Sequence, residues 1–410
     1  MKWEKVKLGN VCEITSSKRI FYSEYVDDGV PFYRSKEIIE SDEGKAIENP
    51  LYISVDKYNE IKEKFGVPQT GDMLLTSVGT IGIPYIIKKK DCFYFKDGNL
   101  TWFRDFREGL NSKYLYYWIK SSEGTGILYN TTIGSSQKAL TISALKNIKV
   151  SLPPRSVQDK IVEVVSAYDD LIENNQKQIK LLEEAAQRLY KEWFVNLRFP
   201  GHENTKIVDG VPEGWNECTV ESFGTVITGK TPPTSNKEYY TNGKVPFVTI
   251  PDMHNVVYPL KTEKRLTIEG AQTQKNKYIP PNSVMISCIG TVGLVSIATE
   301  VCQTNQQINS IILNNEDDLY FFYESMLRMK DLLDGLGSNG ATMTNVNKSK
   351  LEKLIIISPS KDIVKQYNDV CKPLFESALN LSRKNVYLKN MREALLPKLM
   401  SGEADRKSVV

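Results

Sequence analysis

The 410-residue chain is 40% hydrophobic and 25% charged, a balance that supplies cores for two or more ordinary domains and excludes a disordered chain. A formal net charge of +3 neither demands nor excludes a polyanionic partner, so any nucleic-acid contact has to concentrate Lys and Arg on one face. Six cysteines without a C-x-x-C pair, and two histidines, His202 and His254, argue against a zinc site or a disulfide framework.

Met1 to Asn10 carries no apolar stretch suited to a signal sequence, and no uninterrupted apolar run approaches the roughly 20 residues of a membrane span. The expectation is a soluble, cytoplasmic protein with no membrane contact. Trp3 opens WEKVKLGNVCEITSSKR, a short alternating apolar segment that ends in a small-polar-basic turn. GVPFYRSKEI (Gly29 to Ile38) follows, and then VPQTGDMLLTSVGTIG (Val67 to Gly82): a Pro-led turn, an alternating strand and Gly-Thr-x-Gly. Gly79 and Gly82, like Gly290 and Gly293 further on, read as turn formers supplying positive φ. GSSQKALTISALKNIKVSLPP (Gly134 to Pro154) is a polar loop, a short amphipathic segment and a strand ending at proline.

Ser156 to Trp193 contains no Gly or Pro, and a helix there runs roughly 55 Å at ~1.5 Å per residue. Ile161, Tyr168, Asn175, Leu182 and Leu189 form a heptad stripe, with Val164, Leu171, Ile172, Ile179, Ala185 and Ala186 alongside; Asn175 in that stripe can fix register. HENTKIVDGVPEGW (His202 to Trp215) links into a second half that repeats the first. Trp215 opens WNECTVESFGTVITGKT; GKVPFVTIPDM (Gly243 to Met253) matches Gly29 to Ile38; IPPNSVMISCIGTVG (Ile279 to Gly293) matches the Gly-Thr-x-Gly segment; and GSNGATMTNVNKSKLEKLIIISPS (Gly337 to Ser360) matches the closing segment. The final helix has its own stripe, Tyr367, Leu374, Leu381, Leu388 and Leu395, and two prolines, Pro373 and Pro397, expected to kink or limit it.

The layout predicts a mixed α/β (α+β) protein. Two pseudo-repeated globules, residues 1–154 and 201–359, are separated by two long antiparallel helices, 155–200 and 360–402, in a coiled-coil-like stalk, with 403–410 a flexible tail. The alternative for the stripes is an ordinary core helix with no spacer role.

Catalytic chemistry finds little support. A methyltransferase needs a Gly-rich cofactor loop and an acidic or Asn residue before Pro-Pro-aromatic, yet Pro153-Pro154, Pro232-Pro233 and Pro280-Pro281 follow Leu, Thr and Ile. No G-x-x-x-x-G-K-[ST] loop occurs, and Asp56, Glu60 and Lys62 read as a solvated helix face rather than a Mg²⁺ site. His202 and His254 lie in loop-like surroundings without a nucleophile elbow. No catalytic residue, metal ligand or cofactor site is assigned.

The repeated globule-helix layout, P-x-x-G-D-x-x-x-x-S-x-G-T-x-G at Pro68 to Gly82, and LPPRSVQDKIVEVVSAYDDLIENNQKQIKLLEEAAQRLYKEWF resemble the specificity subunits of type I restriction-modification systems. The aromatic helix end at Trp193-Phe194 and the downstream GVPEGW (Gly210 to Trp215) fit too, so the resemblance spans essentially the whole chain. It implies a non-catalytic bacterial or archaeal subunit in which each globule is a target-recognition domain for one half of a bipartite double-stranded DNA site. It also implies two modification subunits that carry S-adenosylmethionine and methylate adenine at N6, and restriction/translocase subunits that use ATP and Mg. The second copy departs from the first, with Asn282-Ser283 in place of Gly71-Asp72 and Ser338-Asn339-Gly340-Ala341 in place of Ser135-Ser136-Gln137-Lys138, so the two halves should read different bases. A recognition scaffold assembled without a methyltransferase, and a self-contained modification-restriction enzyme, are the competing readings.

Base reading needs Arg or Lys for guanine, Asn or Gln for adenine, and Ser or Thr for either, projecting from loops. In the first globule the candidates are Lys18, Arg19, Arg34, Ser35, Lys36, Thr76, Ser77, Gln137 and Lys138, with Arg34 and Gln137 preferred. In the second they are Lys230, Thr249, Asp252, Ser287, Asn339, Thr342 and Asn345, with Asp252 suited to accept from a cytosine amino group. Each has a plainer rival as a turn cap or an exposed lysine.

Overall fold

In the first half of the chain, strands Glu13–Thr15, Leu100–Arg104, Met73–Thr76 and Pro84–Ile86 form an antiparallel sheet in that order. The computed structural model describes residues 3–44, 47–134, 138–337 and 345–402. Every side chain of Met73–Thr76 is buried, because successive residues of a strand point to opposite faces and here both faces are covered. Met73 and Leu75 enter one core with Phe103, Tyr114 and Trp118, while Leu74 enters another with Phe95 and Trp102. A second sheet runs Tyr25–Val26, Leu51–Ile53, Val30–Tyr33 and Tyr94–Phe95, its last pair parallel. A two-stranded ribbon, Glu4–Lys7 with Lys149–Leu152, is the remaining sheet of this half among the described residues.

The second half repeats the plan. Strands Gly224–Thr228, Ile308–Leu313, Val284–Ser287 and Val295–Ile297 form the four-stranded sheet, and Lys264–Leu266, Val245–Val248 and Gln303–Thr304 the second, again with a parallel last pair. The ribbon is Asn216–Thr219 with Ile355–Ser358. Val284 and Ile286 fill one core and Met285 another, the same division as at Met73–Leu75.

The central helix spans Arg155–Tyr190 and ends in a π turn at Lys191–Val195, while the distal helix spans Lys361–Ser401. The chain divides into two compact units, residues 1–173 with 387–410 and residues 174–386, so each helix contributes to both. In the first unit Ile161, Val162 and Val165 of the central helix share a core with Leu396, Leu399 and Met400 of the distal one. In the second, Ala186 and Tyr190 share a core with Val364, Tyr367, Cys371 and Phe375. Within each unit, therefore, the paired helices run antiparallel. The distal helix continues through both prolines, so neither limits it. Pro373, Pro397 and the residues four before them, Asp369 and Glu393, are all exposed, so water can serve the carbonyls that lose a backbone donor.

Ile161, Val165, Tyr168, Ile172, Asn175, Ile179, Leu182, Ala186 and Leu189 are buried or half-buried, a seam spaced alternately by four and three. On the distal helix Tyr367 and Leu388 are buried and Leu374, Leu381 and Leu395 half-buried. The companion stripe is met in part: Val164, Ile172, Ile179 and Ala186 are buried or half-buried, with Val165 buried beside them, while Leu171, 44% exposed, faces solvent with Ala185. Asn175 Nδ2 donates to Asn385 Oδ1 at 2.8 Å, a buried amide pair in the second unit.

Gln158 ties the start of the central helix to the first globule. Its Oε1 accepts from the Asn111 N–H at 2.9 Å, and its Nε2 donates to the carbonyls of Gly109 at 2.8 Å and Pro153 at 2.9 Å. The side chain is fully buried with every polar atom engaged.

Candidate nucleic-acid interface

The Gly-Thr-x-Gly turn is built identically in both units. Gly79, Gly82, Gly290 and Gly293 have φ of 77°, 84°, 80° and 82°, in the left-handed region where a Cβ is costly. Thr76 Oγ1 accepts from Ile83 N at 2.9 Å, and Ser287 Oγ accepts from Leu294 N at 2.8 Å, so the residue before the turn braces the residue after it. This leaves Thr80 and Thr291 exposed at the two tips.

Three further segments meet each turn. In the first unit Ser77 N donates to Asn99 O at 2.8 Å, Leu140 N donates to Ser77 O at 2.9 Å, and Val78 bridges Ala139. In the second, Cys288 N donates to Gln307 O at 2.8 Å, Val346 N donates to Cys288 O at 2.8 Å, and Ile289 bridges Asn345. The loop after the first sheet strand joins them through Arg19 Nε, which donates to Asp97 Oδ2 at 2.8 Å, and through Thr231 Oγ1, which donates to Gln306 Oε1 at 2.6 Å. Each unit thus presents one confluence of four loops, with exposed Lys18, Arg19, Thr80 and Lys138 in the first and exposed Lys230, Thr291, Gln306 and Asn345 in the second.

The sequence candidates divide between this surface and the framework behind it. Lys18 Nζ sits 4.4 Å from the centre of the Phe65 ring, and Lys138 Nζ 3.5 Å from that of Tyr129, whose hydroxyl it pulls below its ordinary pKa range. Lys36 reaches Glu40 at 3.7 Å across one helical turn, and Lys230 is exposed. Thr76, Ser77 and Ser287 are buried and occupied: Ser77 Oγ meets Thr101 Oγ1 at 2.7 Å, and the other two brace their turns. Ser35 Oγ is buried without a hydrogen-bond partner among the described residues.

Arg34, a preferred reader, is engaged with Glu37: Nη2 lies 2.5 Å from Oε1 and Nε 3.3 Å from Oε2, while the Arg34 N–H also donates to that carboxylate at 2.7 Å. Burial pushes the Glu37 carboxyl up, but the Arg34 guanidinium and backbone N–H together hold it below the ordinary carboxylate range. Asp252 occupies the equivalent place, accepting from Thr249 N, Thr249 Oγ1 and Glu263 N at 2.7–2.8 Å, so Thr249 and Asp252 form a helix cap. Its lone pairs serve the fold first. Gln137, Asn339 and Thr342 lie outside the described residues.

Sequence reasoning passed over Asp97, Asn99, Thr231, Gln306 and Gln307. The signal was the amide-dense run QTNQQIN at Gln303–Asn309, in which Asn305 Nδ2 donates to Gln307 Oε1 at 2.9 Å and leaves Gln306 outermost. His202 Nδ1 contacts the Phe199 carbonyl at 2.9 Å. Among the described residues no group of three or more His, Cys, Asp or Glu could hold a metal, and no helix is long and apolar enough to cross a membrane. A cleft of about 430 Å³ in the first unit includes Ile81, Tyr117, Leu128 and Leu396; the cations lining it are paired, Lys120 with Asp42 and Arg392 with Asp169.

The duplication has a counterpart among known proteins. A family model for the type I restriction modification DNA specificity domain matches residues 1–184 and, a second time, residues 212–386. The chain belongs to this family. It is a type I specificity subunit carrying two target-recognition domains, the DNA-recognition component rather than the catalytic one. Similar specificity subunits include that of the type I restriction enzyme HindI from Haemophilus influenzae, 34% identical over 325 residues, covering 64% of this chain and 71% of that one. The MjaIX specificity subunit from Methanocaldococcus jannaschii is 28% identical over 424 residues, covering 98% and 93%. The crystal structure of a type I system S subunit from M. genitalium shares the fold, with a TM-score of 0.58 at 14% identity, over 97% of this chain and 96% of that one.

Proposed function

We propose that this specificity subunit reads a bipartite double-stranded DNA site. The globule of residues 1–154 takes one half-site and that of residues 201–359 the other, while the helices within 155–200 and 360–402 set the unspecified gap between them. The observation that carries this reading is the four-loop confluence, made twice on the same backbone scheme with different side chains at its surface. A reader of two unlike half-sites needs such a repeated platform with a varied face.

The helices also dock two methyltransferase subunits, which bind S-adenosylmethionine and methylate adenine at N6, and through that complex the ATP- and Mg-dependent restriction subunits join. Support comes from large apolar side chains left open on the helices: Leu171 and Leu181 are 44% and 64% exposed, and Val370, Tyr387 and Met391 40% or more. The protein works in the bacterial or archaeal cytoplasm, where its DNA is.

The test is the adenine methylation pattern of DNA from cells making this chain with its methyltransferase, against cells lacking the chain. A bipartite motif with an unspecified gap is expected. A methylome that does not depend on the chain would sink the proposal in favour of a recognition scaffold without modification.

A further inference from the structure

The two confluences correspond through their hydrogen bonds, save for one extra residue in a loop of the first. Thr15 pairs with Trp102 and Ile227 with Ser310, while Leu74 faces Trp102 and Met285 faces Ser310. Counting on from Thr15 and Ile227 without a gap, Lys18 corresponds to Lys230 and Arg19 to Thr231. On the neighbouring loop, Lys96 N donates to Tyr33 O at 2.9 Å and Asn305 N donates to Val248 O at 3.2 Å, and the loops rejoin at Leu100 and Ile308. Between those points lie Asp97, Gly98 and Asn99 in one unit and Gln306 and Gln307 in the other. The side-chain contact linking the two loops is therefore conserved in place and changed in chemistry: Arg19 with Asp97, and Thr231 with Gln306.

We propose that this cross-loop pair sets the base read in each half-site, Arg19 selecting a guanine in the first and Gln306 an adenine in the second; the inference rests on the DNA-reading function argued above. The Arg19 side chain is 68% exposed and is held at Nε by Asp97, itself only 18% exposed, so both terminal guanidinium nitrogens stay available for the O6 and N7 acceptors of guanine. Gln306 is exposed and pinned at Oε1 by Thr231. The amide keeps its Nε2 donors and the second lone pair of Oε1, which match N7 and the N6 amino group of an adenine that stays stacked in the duplex. A partner that fixes a long side chain reduces the rotamer freedom lost on binding. The adjoining residue, lysine in both units, suits the phosphate backbone, which is the same in both half-sites.

The experiment takes the complete complex of this chain with its methyltransferase subunits and selects from a duplex library randomised across the site. Wild type is compared with Arg19→Ala, Gln306→Ala and the double variant Thr231→Arg, Gln306→Asp. Arg19→Ala should lose guanine preference at one position of the first half-site, and Gln306→Ala adenine preference at one position of the second. Each loss should be roughly 5- to 150-fold, the discrimination a bidentate contact gives. The double variant should move that second position toward guanine. Both side chains are exposed, and the untouched half-site in the same molecule reports that each variant is folded and assembled. Unchanged preference in either single variant, or equal weakening across all sequences, overturns the inference while the bipartite reader stands. A wild-type complex that selects no bipartite sequence sinks both.

Discussion

Replacing Gln158 should loosen the first unit while leaving the second untouched. Its amide makes three hydrogen bonds from a fully buried position, to the Asn111 N–H and to the carbonyls of Gly109 and Pro153. Each contributes about 1 kcal/mol net, and Gly109 is exposed, so water can replace its bond; Gln158→Leu should therefore cost about 2–3 kcal/mol. Gln158→Glu should cost more at neutral pH, because a carboxylate cannot donate to two carbonyls and its charge is desolvated. Burial raises the folded-state pKa of that glutamate above its unfolded value, so its deficit grows as pH rises and shrinks on acidification. Peptide-resolved hydrogen exchange on the assembled complex separates the units. Amides of Ser112–Lys120 and Lys149–Leu152 should exchange roughly 30- to 150-fold faster in Gln158→Leu, and those of Val284–Ser287 and Ile308–Leu313 at the wild-type rate. A change below about threefold, or equal acceleration in both units, would refute the clamp.

The second unit should weaken as pH rises from about 5.5 to 8.5. Burial pushes the Glu324 carboxyl up to about 8 against the pull of Arg328, with Glu183 pushing it further, and burial takes Glu183 to about 7. Because the folded values lie above the unfolded one, the folded state binds more protons between them, and stability falls across that window by roughly 2–3 kcal/mol for Glu324; Glu324→Gln should flatten the profile in pH-dependent denaturation. Arg34→Ala should destabilise the first unit by about 1–2 kcal/mol in chemical denaturation, since it strips the guanidinium from buried Glu37 while solvent at the partly exposed Arg34 softens the loss; base preference should not change. Ser287→Ala should cost about 1 kcal/mol by removing the brace to Leu294 N, again with the recognised motif intact in the methylome. Deleting one heptad from both long helices removes about 10.5 Å of rise and should shorten the methylated motif's gap by about three base pairs; an unchanged gap would show that the helices do not set it.

The repeat was legible because it is written in backbone-determining residues. The paired Gly-Thr-x-Gly glycines, Pro31-Phe32 against Pro246-Phe247, and the heptad stripes all report turns and periodicities that hold whatever surrounds them. Asn282 in place of Gly71 belongs here too: both take positive φ, 65° and 93°, which asparagine tolerates better than most residues, so that substitution preserves a turn. What stayed hidden depends on which way a polar side chain points. Thr76, Ser77 and Ser287 read as loop donors, but their sheets are covered on both faces and the hydroxyls turn inward, Thr76 and Ser287 to hold the turns and Ser77 to meet Thr101. Arg34 and Asp252 read as free charges, but each closes the first turn of a helix through a contact three residues long. Gln306 was overlooked because it stands in a run of amides, and only the parallel pairing of Gln303–Thr304 with Phe247–Val248 brings that run beside the Gly-Thr-x-Gly turn. Of the companion stripe only Leu171 and Ala185 face solvent, since in Leu171-Ile172 and Ala185-Ala186 two apolar neighbours do not say which one meets the seam.

The sharing of helices between units bears on how the protein is made. The core around Ile161 and Val165 is closed by Leu396, Leu399 and Met400, which leave the ribosome more than 200 residues after the rest of that core. At roughly 5–20 residues per second, the nascent first unit waits on the order of 10 to 40 s with an apolar flank uncovered, whereas the second unit already has its share of the central helix when its own strands emerge. A premature stop codon late in the gene would therefore damage the half of the protein encoded first.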